Sequence, residues 1–278
     1  MDDIRIPATD GFSLAASLFR PAGTPRRVVL ISSATGVRRG YYAPFAQFLA
    51  ARGHAVVSYD YRGIGDSRPA LLTGFRARMR DWGERDLPGV IEFLERTFGA
   101  RATTPKLALV GHSVGGQLVG LAPNNDRIGA LLAIAAQSGE WRLWPAPARY
   151  RMALLWYGLV PIITNVVGYL PGSLGIGEDL PRGVALEWAR WCRTRGYLVG
   201  DRAARQAGYS RFDGALCAYS FASDPYAPES AVDELAAMYD RTQLERRHLD
   251  DPALGHFGFF RERHRALWDD ATAWLEAA

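Results

Sequence analysis

The chain has 278 residues, with 33 basic against 29 acidic side chains and a formal charge of +4. Hydrophobic residues at 48% and charged residues at 22% are near globular averages, which excludes a disordered chain, and the absence of basic runs excludes a nucleic-acid binder. Two cysteines, Cys192 and Cys217, cannot make a disulfide framework, and the opening Met1-Asp2-Asp3-Ile4-Arg5 has no apolar signal core, so a cytosolic protein is expected.

The predicted elements alternate. Ile4 to Pro7 and Phe12 to Phe19 read as a hairpin around Asp10-Gly11, because Asp-Gly favours positive φ in a tight turn. Val28 to Ser32 is a continuous apolar run, the pattern of a strand buried on both faces. Tyr42 to Ala51 reads as a helix stopping before Gly53, and Ala55 to Tyr59 as the next buried strand. Arg80 to Phe98 has helical spacing despite Pro88. Lys106 to Val110 reads as a strand, Val114 to Ala122 as a helix ended by Pro123, and Ala130 to Ala136 as a strand.

The rhythm then stops. Between Gly139 and Asp213 no clean strand is predicted, and the interval holds five of the eight tryptophans and ten arginines against six acids, so it carries the whole +4 excess. Within it, Met152 to Leu170 is 19 residues without a charge, long enough to cross a bilayer. Gly158, Pro161 and Gly168 interrupt it, so the expectation is a pair of short buried helices without membrane contact. Alternation resumes with a strand at Leu216 to Phe221, a helix at Pro228 to Tyr239, a strand at Gln243 to Leu249 and an amphipathic helix at Arg261 to Glu276. The pattern predicts an α/β fold: a mostly parallel eight-stranded sheet flanked by helices, with an antiparallel start and a helical cap inserted after the sixth strand. One folding unit is expected, with core segments 1–138 and 214–278 around the insertion 139–213.

The strongest local signal is Gly111-His112-Ser113-Val114-Gly115-Gly116. It fits G-x-S-x-G between a predicted strand and a predicted helix, the context of a nucleophile elbow. A serine nucleophile needs a base. Of five histidines, His54 lies at a helix-to-strand turn, His112 adjoins the serine and points elsewhere, His248 lies in the last strand and His264 on the last helix. His256 sits in the glycine-flanked loop before that helix, where a base reaches over the sheet edge. Asp224, just past a buried strand and 32 residues earlier, is the favoured orienting acid, with Glu140 the alternative. An oxyanion hole needs two donors. The Val114 N–H is one, and the loop Ser32-Ser33-Ala34-Thr35-Gly36 supplies the other, with Thr35 preferred to Ala34.

Other features point less far. Asp60-Tyr61-Arg62-Gly63-Ile64-Gly65-Asp66-Ser67 lacks the third spaced glycine of a dinucleotide site and reads as a structural loop. His248, Asp250, Asp251 and His256 match no metal-ligand spacing, so neither a metal nor a cofactor is expected.

Together the elbow hexapeptide, the Asp60–Ser67 stretch, Asp224 and His256 resemble the α/β-hydrolase superfamily, over about Ile6 to Leu275. Ser33-Ala34-Thr35-Gly36-Val37, with the segments around Gly168–Pro171, Leu180–Gly183 and Glu187–Trp191, resembles a bacterial subgroup of predicted serine hydrolases with generally unassigned substrates. The resemblance implies Ser113 as nucleophile, His256 as base and Asp224 as orienter, under a helical cap. A departure is the missing His-Gly after the third strand. The expected activity is cofactor-independent hydrolysis of a small carboxylic ester or thioester. The alternatives are acyl transfer from the same acyl-enzyme, and an idle ligand-binding protein on a hydrolase scaffold.

Overall fold

The computed structural model describes residues 1–99, 107–175, 177–200 and 202–278. Lys106, expected to open the fifth strand, lies outside the described residues. The hairpin forms as β1 (Asp2–Pro7) and β2 (Ser13–Phe19), with Gly11 at φ +82° in its turn. The apolar runs become β3 (Val28–Ser32), β4 (Ala55–Tyr59), β5 (Leu107–His112) and β6 (Ile128–Ile134), nearly every residue buried. Two short strands of the insertion, β7 (Tyr169–Leu170) and β8 (Leu180–Pro181), pair antiparallel with each other. The chain then returns to the main sheet as β9 (Ala215–Phe221) and β10 (Gln243–Leu249).

The main sheet has eight strands in the order β1-β2-β4-β3-β5-β6-β9-β10. β2 pairs antiparallel with β1 and β4, and every other pairing is parallel. The loops after β3, β5, β9 and β10 therefore leave the same edge, where open α/β sheets bind ligands. Helices cover both faces, packing Trp82, Phe45, Trp268 and Leu275 into one core.

Two helices run through a proline for one reason, the first as expected and the second against expectation. The run 79–98 is continuous through Pro88, and the insertion's apolar segment is one helix, Ala148–Val167, rather than two short buried ones. Each contains a π-helical turn just before its proline. The Leu87 N–H bonds the Trp82 carbonyl and the Val160 N–H bonds the Leu155 carbonyl, both five residues back. The widened turn absorbs the proline, which has no N–H to place in the next rung. The cap helix ends at Gly168, φ +88°.

The helix after the elbow is shorter than predicted, α-helical over Val114–Gln117 and 3₁₀ over Leu118–Leu121. Tyrosine hydroxyls of Tyr239 and Tyr209 donate to the Gly116 and Gln117 carbonyls (both 2.7 Å), and three glycines weaken the run further. At the C-terminus, two 3₁₀ turns precede the last helix, Ala266–Ala277.

Candidate active site

Ser113 follows β5 directly, at φ +52° and ψ −117°. That conformation is strained for a residue with a Cβ, and it lifts the hydroxyl off the sheet edge. Gly115 makes the turn possible. A Cβ there would lie 2.1 Å from the Ser32 carbonyl oxygen, so the elbow and the loop after β3 close on each other only over a bare backbone.

Asp224 follows β9 and His256 follows β10. The His256 Nδ1 and Asp224 Oδ2 atoms are 2.7 Å apart, and both residues are 6% exposed. The other carboxylate oxygen accepts the Tyr226 and Ala227 N–H groups at 2.8 and 3.0 Å. Asp224 therefore shapes its own turn and presents one oxygen to the imidazole. Glu140, the alternative acid, faces away: it accepts the Gly196 N–H at 2.8 Å and an Arg142 N–H at 3.2 Å.

Ser113 and His256 line one cavity of about 280 Å³ with Ala34 and Thr35. No hydrogen bond joins Ser113 to His256 in the described structure, and such contacts are often long without substrate. Val114 opens its helix, where a backbone N–H has no intrahelical acceptor. The Ala34 N–H is already committed to the Tyr42 hydroxyl at 2.8 Å. Within this loop, that leaves Thr35 the better placed of the two donors weighed.

A model of the alpha/beta hydrolase family matches residues 28–270. The chain belongs to the alpha/beta hydrolase family. A curated relative, "Putative carbamate hydrolase RutD" of Variovorax paradoxus (strain S110), is 37% identical over 113 residues, 40% of this chain. The match spans only 38% of that relative's own length. An esterase from Exiguobacterium antarcticum superposes at a TM-score of 0.67 with 16% identity, covering 99% of this chain and all of that one. The Pyrococcus furiosus esterase Pf2001 superposes at 0.63 with 13% identity, covering 99% of this chain and 89% of the other. These likenesses establish the fold. The reaction and its substrate have to be argued from the site.

In this alpha/beta hydrolase, His112 does more than the sequence revealed. Its Nε2 lies 2.9 Å from the His256 backbone carbonyl, and its Nδ1 2.9 Å from the Tyr42 hydroxyl. A carbonyl only accepts, so Nε2 carries the proton and Nδ1 accepts from Tyr42. Burial, reinforced by His256, holds the His112 imidazole well below its usual pKa and so neutral, while burial raises Tyr42 well above its own. One chain of bonds thus runs from the loop after β3, through Tyr42 and His112, to the backbone of His256. The signal available in sequence was only that His112 neighbours the serine. Gln137, also in the cavity wall, was missed; it accepts from the Gln117 amide and donates to the Tyr226 carbonyl.

The remaining histidines sit elsewhere. His54 contacts Glu276, His248 contacts Ser220 and Glu229, and His264 accepts from Arg263. The Asp60–Ser67 stretch is structural. The Asp60 carboxylate accepts from the Arg39 and Asp66 backbone N–H groups, and Arg62 bridges Asp86 and Asp10. Burial pushes the Asp86 carboxyl up to about 6, against the pull of Arg62.

The insertion closes the cavity from above. Met152, Leu155, Trp156, Val160 and Ile163 of the cap helix line it, with Trp188 from the helix Arg182–Arg193. The insertion is tied down beside the candidate oxyanion loop, where the Glu178 N–H donates to the Gly36 carbonyl at 2.8 Å. Among the described residues no Asp, Glu, Lys or Arg lines the cavity, so an uncharged, apolar group fits it best.

Proposed function

We propose that the protein is a cofactor-independent serine hydrolase that cleaves a carboxylic ester or thioester with an uncharged, apolar acyl group. Ser113 Oγ attacks the acyl carbon as His256 Nε2 takes its proton. Asp224 holds the imidazole with Nδ1–H towards itself and stabilises the imidazolium. The Val114 and Thr35 N–H groups receive the oxyanion. Collapse expels the leaving group with the proton from His256. Water, deprotonated by His256, then attacks the acyl-enzyme, and the acid departs as Ser113 regains its proton. The observation that carries this reading is the buried 2.7 Å contact of Asp224 with His256 in a cavity shared with a strained Ser113. A carbamate presents the same kind of acyl carbon, and the name of the curated relative puts carbamates in the substrate panel. Two buried, unpaired thiols fit a cytosolic location.

The test is reaction with a fluorophosphonate, with the adduct mapped by mass spectrometry. One adduct on Ser113, lost in His256→Ala, is the expected result. An unlabelled Ser113 in folded protein, or labelling indifferent to His256, overturns the reading.

A further inference from the structure

The helix that roofs the cavity is apolar on both sides. Its inner face walls the cavity, and among the described residues its outer face is largely exposed, with Trp141 and Arg193 touching only its Tyr157 ring. Tyr150, Leu154, Tyr157, Ile162 and Val166 are 65%, 63%, 54%, 62% and 81% exposed. They succeed one another at steps of four, three, five and four residues, so they form a single row along the helix, the long step falling at the π turn. Single exposed apolar residues are ordinary, but a continuous row of five is the mark of an interaction surface.

Cations frame this row. No acid occurs anywhere on Ala148–Val167. Arg151 stands exposed at its N-terminal end. Arg193 lies with its guanidinium carbon 5.4 Å from the Tyr157 ring centre, beside the middle of the row. Arg182 is exposed and donates to the Asn165 side chain near the C-terminal end. Among the described residues, ion pairs engage Arg142 and Arg190 of the insertion, and none engages Arg151, Arg182 or Arg193.

We propose that this face docks on an anionic lipid surface, with the helix in the plane of the interface, its apolar row among the acyl chains and its arginines at the headgroups. An apolar stripe bordered by arginines is the design of an interfacial helix. A second copy of the chain fits the face poorly. A two-fold contact sets the same patch against itself, bringing two sets of these arginines together with no acid between them. Crossing the bilayer is excluded by the inner face, which walls the cavity and packs Trp156 against Trp188 at 4.7 Å between ring centres. The exposed row thus revises the expectation of no membrane contact. Docking also sets the cavity roof at the lipid boundary, where an apolar ester is concentrated.

Flotation of the full chain with phosphatidylcholine vesicles, with and without about one third phosphatidylglycerol, tests this. Binding to the anionic vesicles, weakened by salt, is the expected result. Arg151→Gln and Arg182→Gln each lower it about fivefold. Ile162→Asp and Val166→Asp lower it about tenfold or more. Neither Ile162 nor Val166 lines the cavity, so thermal melting and fluorophosphonate labelling of these variants stay as in the parent and show the fold intact. Ser113→Ala floats like the parent, which separates this proposal from the catalytic one. Absence of binding to both vesicles, or binding unchanged in Ile162→Asp and Val166→Asp, overturns it. So does a dimer in sedimentation velocity that Ile162→Asp dissociates while lipid binding is missing.

Discussion

The floor and the roof of the cavity are built on opposite principles. In the floor hydrogen bonds fix the groups around Ser113: Asp224 by two backbone N–H groups, His256 by Asp224 and His112, and the loop after β3 by Tyr42. In the roof the cap helix meets the cavity through side chains of Met152, Leu155, Trp156, Val160 and Ile163, whose contacts have no direction. Directional bonds set reacting atoms to within fractions of an ångström, which proton transfer needs. Apolar contact sets only shape and volume, which is what choice among acyl groups needs. The difference predicts that damage to the floor lowers turnover for every substrate, while damage to the roof changes which substrate is preferred.

The largest effect should come from the nucleophile. Ser113→Ala is expected to lower kcat by about 10³-fold or more on any ester the protein hydrolyses. Glu140→Gln, whose buried carboxylate is turned to Gly196 and Arg142 and lines no part of the cavity, should keep kcat within about threefold of the parent. Comparable losses in the two variants would undo the assignment of the acid. Next comes His112→Phe, which removes the tie to the His256 carbonyl and takes away the acceptor of the Tyr42 hydroxyl proton. A fall in kcat of about 10²-fold with KM little changed is expected, because a small misplacement of a base is costly. A rise in KM alone would mean that His112 serves only packing.

The same contrast explains what was legible in the sequence. All eight strands of the sheet were readable, for different reasons: the inner parallel strands β3 to β6 and β9, buried on both faces, leave apolar runs, whereas the antiparallel β1 and β2 are marked by the Asp10-Gly11 turn between them, and β10 is a largely exposed edge strand. Of the residues proposed for the mechanism, Ser113 was read from the G-x-S-x-G motif between strand and helix, and Asp224 and His256 from the serine, acid, histidine chain order. The tie through His112 and Tyr42 was not, since it joins residues 70 and 144 positions apart through ring atoms whose direction no local pattern encodes. The cap helix was misread for a physical reason too. Gly158 and Pro161 signal a break, and the π turn that carries the helix through them is a backbone adjustment that composition does not announce.

A roof mutation should act on selection. Ile163→Trp fills part of the cavity while leaving the hydrogen bonds of the floor untouched. The expected outcome is a fall of about tenfold in kcat/KM for long-chain esters relative to short-chain ones. An equal loss across chain lengths would show that the roof positions the reacting groups after all, and the contrast between the two halves would fail.

The smallest effect is on stability, and its sign follows from the floor. Burial holds His112 well below the ordinary histidine value of 6.5, and His54 is lowered as well. Below pH 6.5 the unfolded chain therefore takes up protons that the folded chain refuses, and stability falls on acidification by up to about 1.4 kcal/mol per pH unit for each such group. Asp86 works the other way. Raised from 3.8 to about 6, it is protonated in the folded chain first, so its contribution is present in acid and is lost as the pH rises through about 6. As the pH falls below 6 the terms oppose, the lowered histidines His112 and His54 against the raised carboxyls of Asp86 and Asp60, whereas between 6.5 and 6 the histidines dominate. Urea unfolding at a series of pH values should show the parent losing stability below pH 6.5, and His112→Phe losing it less steeply, by up to about 1.4 kcal/mol per unit. Identical slopes in the two proteins would mean that His112 is charged in the fold. It could not then accept the Tyr42 hydroxyl at Nδ1, and the chain of bonds between the loop after β3 and His256 would have to be redrawn.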